Sequence, residues 1–122
     1  KRQAHGFARG PAPEWGHLLE TFVFLHLRQA QSRIEYYRTA GGREVDFLVT
    51  DDRGVASLLQ VAATLSEEST RRRELAALEE AMAELGLAQG TVVTLEHRET
   101  VEVPAGTIQV VPAWRWALFG ND

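Results

Sequence analysis

Arg33-Ile34-Glu35-Tyr36-Tyr37-Arg38-Thr39, then Ala40-Gly41-Gly42, then Arg43-Glu44-Val45-Asp46-Phe47-Leu48-Val49 is the stretch on which the fold turns. β-Branched and aromatic residues favour extended backbone on both sides of a glycine pair, so the two runs read as a hairpin. Strict alternation would put Glu44 and Asp46 on one face and Val45, Phe47 and Val49 on the other. Asp51-Asp52-Arg53-Gly54 is a second turn. It leads into a third strand, Val55 to Ala62, on which Leu58, Gln60 and Ala62 share a face. Three antiparallel strands in sequence form a meander.

Working outward, the upstream segment Glu14–Gln31 carries Trp15, Leu18, Leu19, Phe22, Val23, Leu25 and Leu27 at helical spacing, with Phe24 widening the stripe. A helix apolar on most sides is expected to be buried. Glu20 stands in its middle, where a carboxylate is costly without a partner or a role. Ahead of it, residues 1–13 contain Gly6, Gly10, Pro11 and Pro13 and read as an irregular lead-in, leaving residues 14–122 as a single domain. Downstream, Thr64 or Ser66 is the expected cap of a second helix, Ser66–Leu85. Its stripe is Leu75, Leu78, Met82 and Leu85, and Gly86 ends it. Strands follow at Thr91–Leu95, Val101–Val103 and Ile108–Val111. The chain then runs into an apolar tail with Trp114, Trp116, Leu118 and Phe119, which would either close the core or form a docking patch. The order is helix, three strands, helix, strand, then additional C-terminal strands. That is an α/β domain with a mixed sheet, the second helix serving as a crossover.

Composition narrows the chemistry. The 122 residues include no cysteine, which excludes disulfides, thiolate metal sites and cysteine nucleophiles. Of the 13 basic residues, 12 are arginine, and the one lysine is Lys1. The apolar run around Thr21–Leu25 is far shorter than the roughly 20 residues that span a bilayer, so a cytoplasmic chain with no membrane partner is expected. The start at Lys1, without a signal-peptide pattern, fits a trimmed chain or a piece of something larger. No phosphate-binding glycine loop, nucleophile elbow or His-Glu-x-x-His is present, and the four histidines are scattered. A net charge of −4 offers no global attraction to nucleic acid.

Acidic residues supply the one chemical pattern. Glu20 on the first helix could approach Glu44 and Asp46 on the second strand, and carboxylates converging from a helix and a strand suit a hard cation such as Mg²⁺. The structural alternative pairs Glu20 with Arg38 or Arg43 and has Asp46 cap a neighbouring backbone. Arg71-Arg72-Arg73 lies near the start of the second helix, where cations oppose the dipole, with Glu67 and Glu68 as the expected compensation. Arg71 or Arg73 could instead meet an anion at the sheet end.

Gly16-His17-Leu18-Leu19-Glu20-Thr21-Phe22-Val23, Tyr36-Tyr37-Arg38-Thr39, Glu44-Val45-Asp46-Phe47-Leu48-Val49, Leu59-Gln60-Val61, Thr70 with Arg73-Glu74-Leu75, and Ile108-Gln109-Val110-Val111-Pro112 with Trp114 and Trp116 stand in a fairly specific order. Together they resemble an uncharacterised domain that lies C-terminal to the P-loop module in a group of prokaryotic AAA-type ATPases. That domain is similar to the PD-(D/E)XK, restriction-endonuclease-like superfamily. The resemblance implies that Glu20 matches the helix acid of the nuclease site, Asp46 the strand acid and Gln60 the third position. The three would share one pocket, with Asp46 and Gln60 on adjacent strands and any metal, as Mg²⁺, held weakly by those two. Ala62 stands where the family has its lysine, and arginine is a poor substitute because its pKa stays above about 12.

The resulting expectation is a non-catalytic or degenerate nuclease-like accessory module of a larger ATPase. It would dock the ATPase, a partner protein or nucleic acid, with Arg38, Arg43 and Arg73 as candidate anion contacts. No cofactor is required, and ATP enters only through an upstream P-loop domain. An active Mg²⁺-dependent nuclease and a self-associating structural module, a homo-oligomer built on the tryptophan tail, are the alternatives.

Overall fold

A computed structural model describes residues 14–120; the lead-in expected at residues 1–13 lies outside them. The elements are α1 (Trp15–Gln29), β1 (Arg33–Arg38), β2 (Glu44–Thr50), β3 (Ala56–Val61), α2 (Glu68–Leu85), β4 (Gln89–Thr94), β5 (Glu99–Val103), β6 (Gly106–Pro112) and α3 (Ala113–Phe119). The strands form one mixed sheet in the order β1-β2-β3-β4-β6-β5. β1, β2 and β3 are the antiparallel meander, β3, β4 and β6 run parallel, and β5 returns antiparallel on the β6 edge. The α2 helix is the crossover from β3 to β4.

Two apolar layers sandwich the sheet. On one face Ala77, Leu78, Ala81 and Met82 of α2 pack on Val45, Leu58, Val92, Ile108 and Val110. On the other, Leu19, Val23 and Leu27 of α1 and Trp116 of α3 pack on Phe47, Val49, Leu59, Val61, Val93 and Val111. The parallel strands β3, β4 and β6 are covered on both sides, which is why each carries an adjacent apolar pair, Leu58-Leu59, Val92-Val93 and Val110-Val111, with one member in each layer.

The sequence reading needs correction in four places. The apolar tail is a helix, α3, started by Pro112 in extended backbone, and only Trp116 of its side chains is fully buried. The α1 helix is not buried all round: Leu19, Val23 and Leu27 face the sheet, while Trp15, Leu18, Phe22 and Leu25 are exposed. One sheet surface covers only the i, i+4, i+8 stripe. Neither Thr64 nor Ser66 caps α2, because Thr64 Oγ1 accepts from the Ser66 amide in a turn and the helix starts later, after Glu67. Finally, β2 does not alternate strictly. Its register against β1 slips between Glu35↔Leu48 and Tyr37↔Val45, so Asp46 and Phe47 together oppose Tyr36. This β-bulge sends Val45 to the α2 layer and Phe47 to the α1 layer, although they are two residues apart.

Candidate functional site

The bulge lies where β2 and β3 separate. Their ladder runs from Thr50↔Ala56 to Phe47↔Leu59 and stops. Beyond it, side chains replace backbone bonds. The Asp46 amide donates to Gln60 Oε1 at 2.8 Å, and the Val61 amide donates to Asp46 Oδ2 at 2.8 Å. Gln60 Nε2 donates to the Glu44 carbonyl at 3.3 Å and to the Glu74 carbonyl at 3.4 Å, tying β2, β3 and α2 together. Gln60 is fully buried and Asp46 nearly so. A buried amide must find partners, and here the two side chains satisfy backbone groups beyond the end of the β2–β3 ladder.

Asp46 and Gln60 therefore sit on adjacent strands, as expected, but Glu20 does not join Gln60. Gln60 borders a cavity of about 370 Å³ on the α2 side, with Arg43, Glu44, Arg73, Glu74 and Ala77. Glu20 borders a separate cavity of about 250 Å³ on the α1 side, with His17, Thr21, Phe24 and Phe47. The sheet lies between the two helices that carry these walls, so Glu20 and Gln60 do not share a pocket. Among the described residues no group of three or more His, Asp or Glu side chains could hold a metal ion. The donors do not fit a Mg²⁺ site, because Gln60 Oε1 is directed at a backbone amide and Glu20 is across the sheet.

Ala62 is buried in the α2-side core with Leu58, Leu65 and Leu78, and its amide continues the sheet by donating to the Val93 carbonyl at 3.0 Å. The arginines proposed as anion contacts all have carboxylate neighbours. Arg38 pairs with Glu44 at 3.5 Å, Arg43 with Glu80 at 3.2 Å and Arg73 with Glu74 at 3.4 Å.

A family model described as "Domain of unknown function (DUF4143)" matches residues 15–116. The chain belongs to this family. It is also 30% identical over 112 residues to "Uncharacterized protein MJ1544" of Methanocaldococcus jannaschii, a match covering 84% of the chain and 25% of that relative. The chain thus spans about a quarter of the length of the curated relative it matches. No solved structure matches it.

Two clusters in this member of the family escaped the sequence reading. Glu80 and Glu84, one turn apart on α2, hold the tip of the β1–β2 hairpin. Glu84 accepts from the Tyr37 hydroxyl at 2.6 Å and the Ala40 amide at 2.8 Å, and Glu80 accepts from the Thr39 hydroxyl at 2.9 Å and the Gly41 amide at 3.1 Å. The Glu84 carboxylate beside the Tyr37 hydroxyl pushes that phenol's pKa up. The i, i+4 spacing of the two acids was a visible signal, but their target lay some forty residues away. In the second cluster, Arg71 of α2 makes a two-pronged pair with Glu99 of β5, at 2.9 and 2.6 Å. His97 Nε2 lies 2.8 Å from the same carboxylate. Arg71, joined by His97, holds the Glu99 pKa down to about 2. Arg71 meets an anion, as one expectation had it, but the anion is internal. Arg72 pairs with Glu68 one turn back, the compensation expected for the helix start.

Proposed function

We propose that this chain is a non-catalytic, restriction-endonuclease-like module of a longer P-loop ATPase, acting by docking to protein rather than by cutting nucleic acid. The observation that carries the reading is the use made of the nuclease positions. Gln60 and Asp46 spend their side chains on closing the sheet where β2 and β3 part. Phosphodiester hydrolysis needs oxygen donors gathered on a metal, a water nucleophile and a cation near the developing charge. Here Glu20 lines a different cavity, and the lysine position is Ala62, packed among leucines. An alkyl side chain in that core cannot supply a cation.

The helix, three strands, helix, strand order with a parallel β3–β4 pair supports the nuclease-like ancestry. The longer relative supports a multi-domain setting, and the resemblance read from the sequence supplies the P-loop ATPase as that setting. Protein docking is favoured over nucleic acid because Arg38, Arg43 and Arg73 are engaged with carboxylates, which cancels most of the field a phosphate backbone would feel.

The test is cleavage of single- and double-stranded DNA and RNA by the chain with Mg²⁺ or Mn²⁺. The expected result is no cutting above that of an Asp46→Ala control. Metal-dependent cutting abolished by Asp46→Ala would overturn the reading in favour of an active nuclease. A search of the full open reading frame for a phosphate-binding glycine loop checks the ATPase setting separately.

A further inference from the structure

The outer sides of α1 and α3 carry an unusual load. On α1, Trp15, Leu18, Phe22 and Leu25 follow each other at three- and four-residue spacing, and each is between 43% and 52% exposed. On α3, Trp114 and Leu118, one turn apart, are 59% and 69% exposed. The two helices lie on the same face of the sheet and touch: the His26 and Trp116 rings are 4.8 Å apart, and Phe22 flanks His26 at 6.3 Å. The six side chains therefore belong to one helical layer, with a tryptophan on each of its two helices. Isolated exposed apolar residues are ordinary, but aromatic and leucine side chains massed on one layer mark an interface. Tryptophans are the side chains that most often anchor one.

We infer that this α1–α3 face is the seat of the rest of a longer polypeptide that contains this domain, an intramolecular domain interface built on apolar contact. The inference rests on the reading of the chain as a module of a longer protein. Three observations select that occupant. The match to the archaeal relative covers a quarter of its length, so a domain of this family is there joined to three times as much additional chain. A covalently joined neighbour is present at roughly millimolar effective concentration, so a modest apolar patch is occupied without the large area that a free dimer requires. The six residues include no charge, whereas the opposite layer and the sheet edges carry paired ions, which suits this face to an apolar neighbour.

The experiment compares hydrogen exchange in the full gene product and in the 122-residue chain. Amides of α1 and α3 should exchange at least tenfold more slowly in the full product, while those of β1 and β2 should not differ. A Leu18→Glu, Leu118→Glu double variant changes only exposed positions, so it leaves the domain folded. In the full product it should remove that protection. Equal exchange in the two proteins would overturn the inference. So would an open reading frame that adds no further domain, or sedimentation of the short chain as a dimer that the double variant dissociates, which would assign the face to a second copy. Protection in a full product that lacks a phosphate-binding loop would sink the ATPase setting and leave the interface standing.

Discussion

At the scale of single residues, Gln60 does the work of a stretch of ladder. Its amide answers the Asp46 N–H and reaches two further carbonyls, Glu44 on the neighbouring strand and Glu74 on α2. Gln60→Leu keeps most of the volume and removes every one of these bonds, leaving a buried donor without a partner. The expected cost is about 2 kcal/mol, since an orphaned buried polar group loses its hydration without recompense. Urea denaturation of the variant measures it, and a loss below about 0.5 kcal/mol would mean that β2 and β3 can close without the side chain. Because Asp46 also caps the Val61 amide, the two positions should be coupled, and a double-mutant cycle reads that coupling directly.

At the scale of elements, the β5–β6 hairpin depends on one glycine. Gly106 has φ of +154°, and a Cβ built there would run into the Ala88 carbonyl oxygen, which the Thr107 amide needs as its acceptor. Both the backbone conformation and the space exclude a side chain. Gly106→Ala should therefore destabilise the domain by about 3 kcal/mol, well above a typical surface change. Its hydrogen exchange should show the loss first in β5 and the start of β6. A variant with unchanged thermal midpoint would show that this junction relaxes freely. By contrast Gly54, also at positive φ, has open space around it and constrains only the turn between β2 and β3.

At the scale of the whole molecule, the two-pronged Arg71–Glu99 pair ties the central crossover helix to the edge strand β5. The Glu99 pKa is about 2 in the folded protein against 4.5 for an unperturbed glutamate. The sign is that of a depressed carboxyl: its contribution is complete above about pH 4.5 and disappears as the pH falls toward 2. Glu99→Gln should lower stability by about 1 kcal/mol at pH 7, the upper end for a partly exposed pair, and by progressively less in acid. Thermal melts of both proteins between pH 7 and pH 2.5 should converge. Parallel curves across that range would remove Glu99 from the acid response.

Local pattern alone determined most of the elements. Trp15–Gln29 and Glu68–Leu85 lie within the helices read from period, and the hairpin, the meander and the crossover follow from Gly41-Gly42, Asp51–Gly54 and Gly86. Each of these signals spans only a few residues, so neighbours along the chain suffice to read it. The α3 helix was illegible because seven residues hold too few turns to show a period. The candidate site was legible only in part. The meander put β2 and β3 together and the family resemblance paired Asp46 with Gln60, but the extra residue in β2 is defined by its partner Tyr36 on another strand, and alternation within β2 cannot reveal it. Which face Glu20 occupies, which arginines are already paired, and which side of α1 is left bare were likewise decided by tertiary structure. These outcomes depend on groups tens of residues apart competing for the same sheet surface and the same carboxylates, and the apolar period that built α1 says nothing about how much of its circumference the sheet can cover.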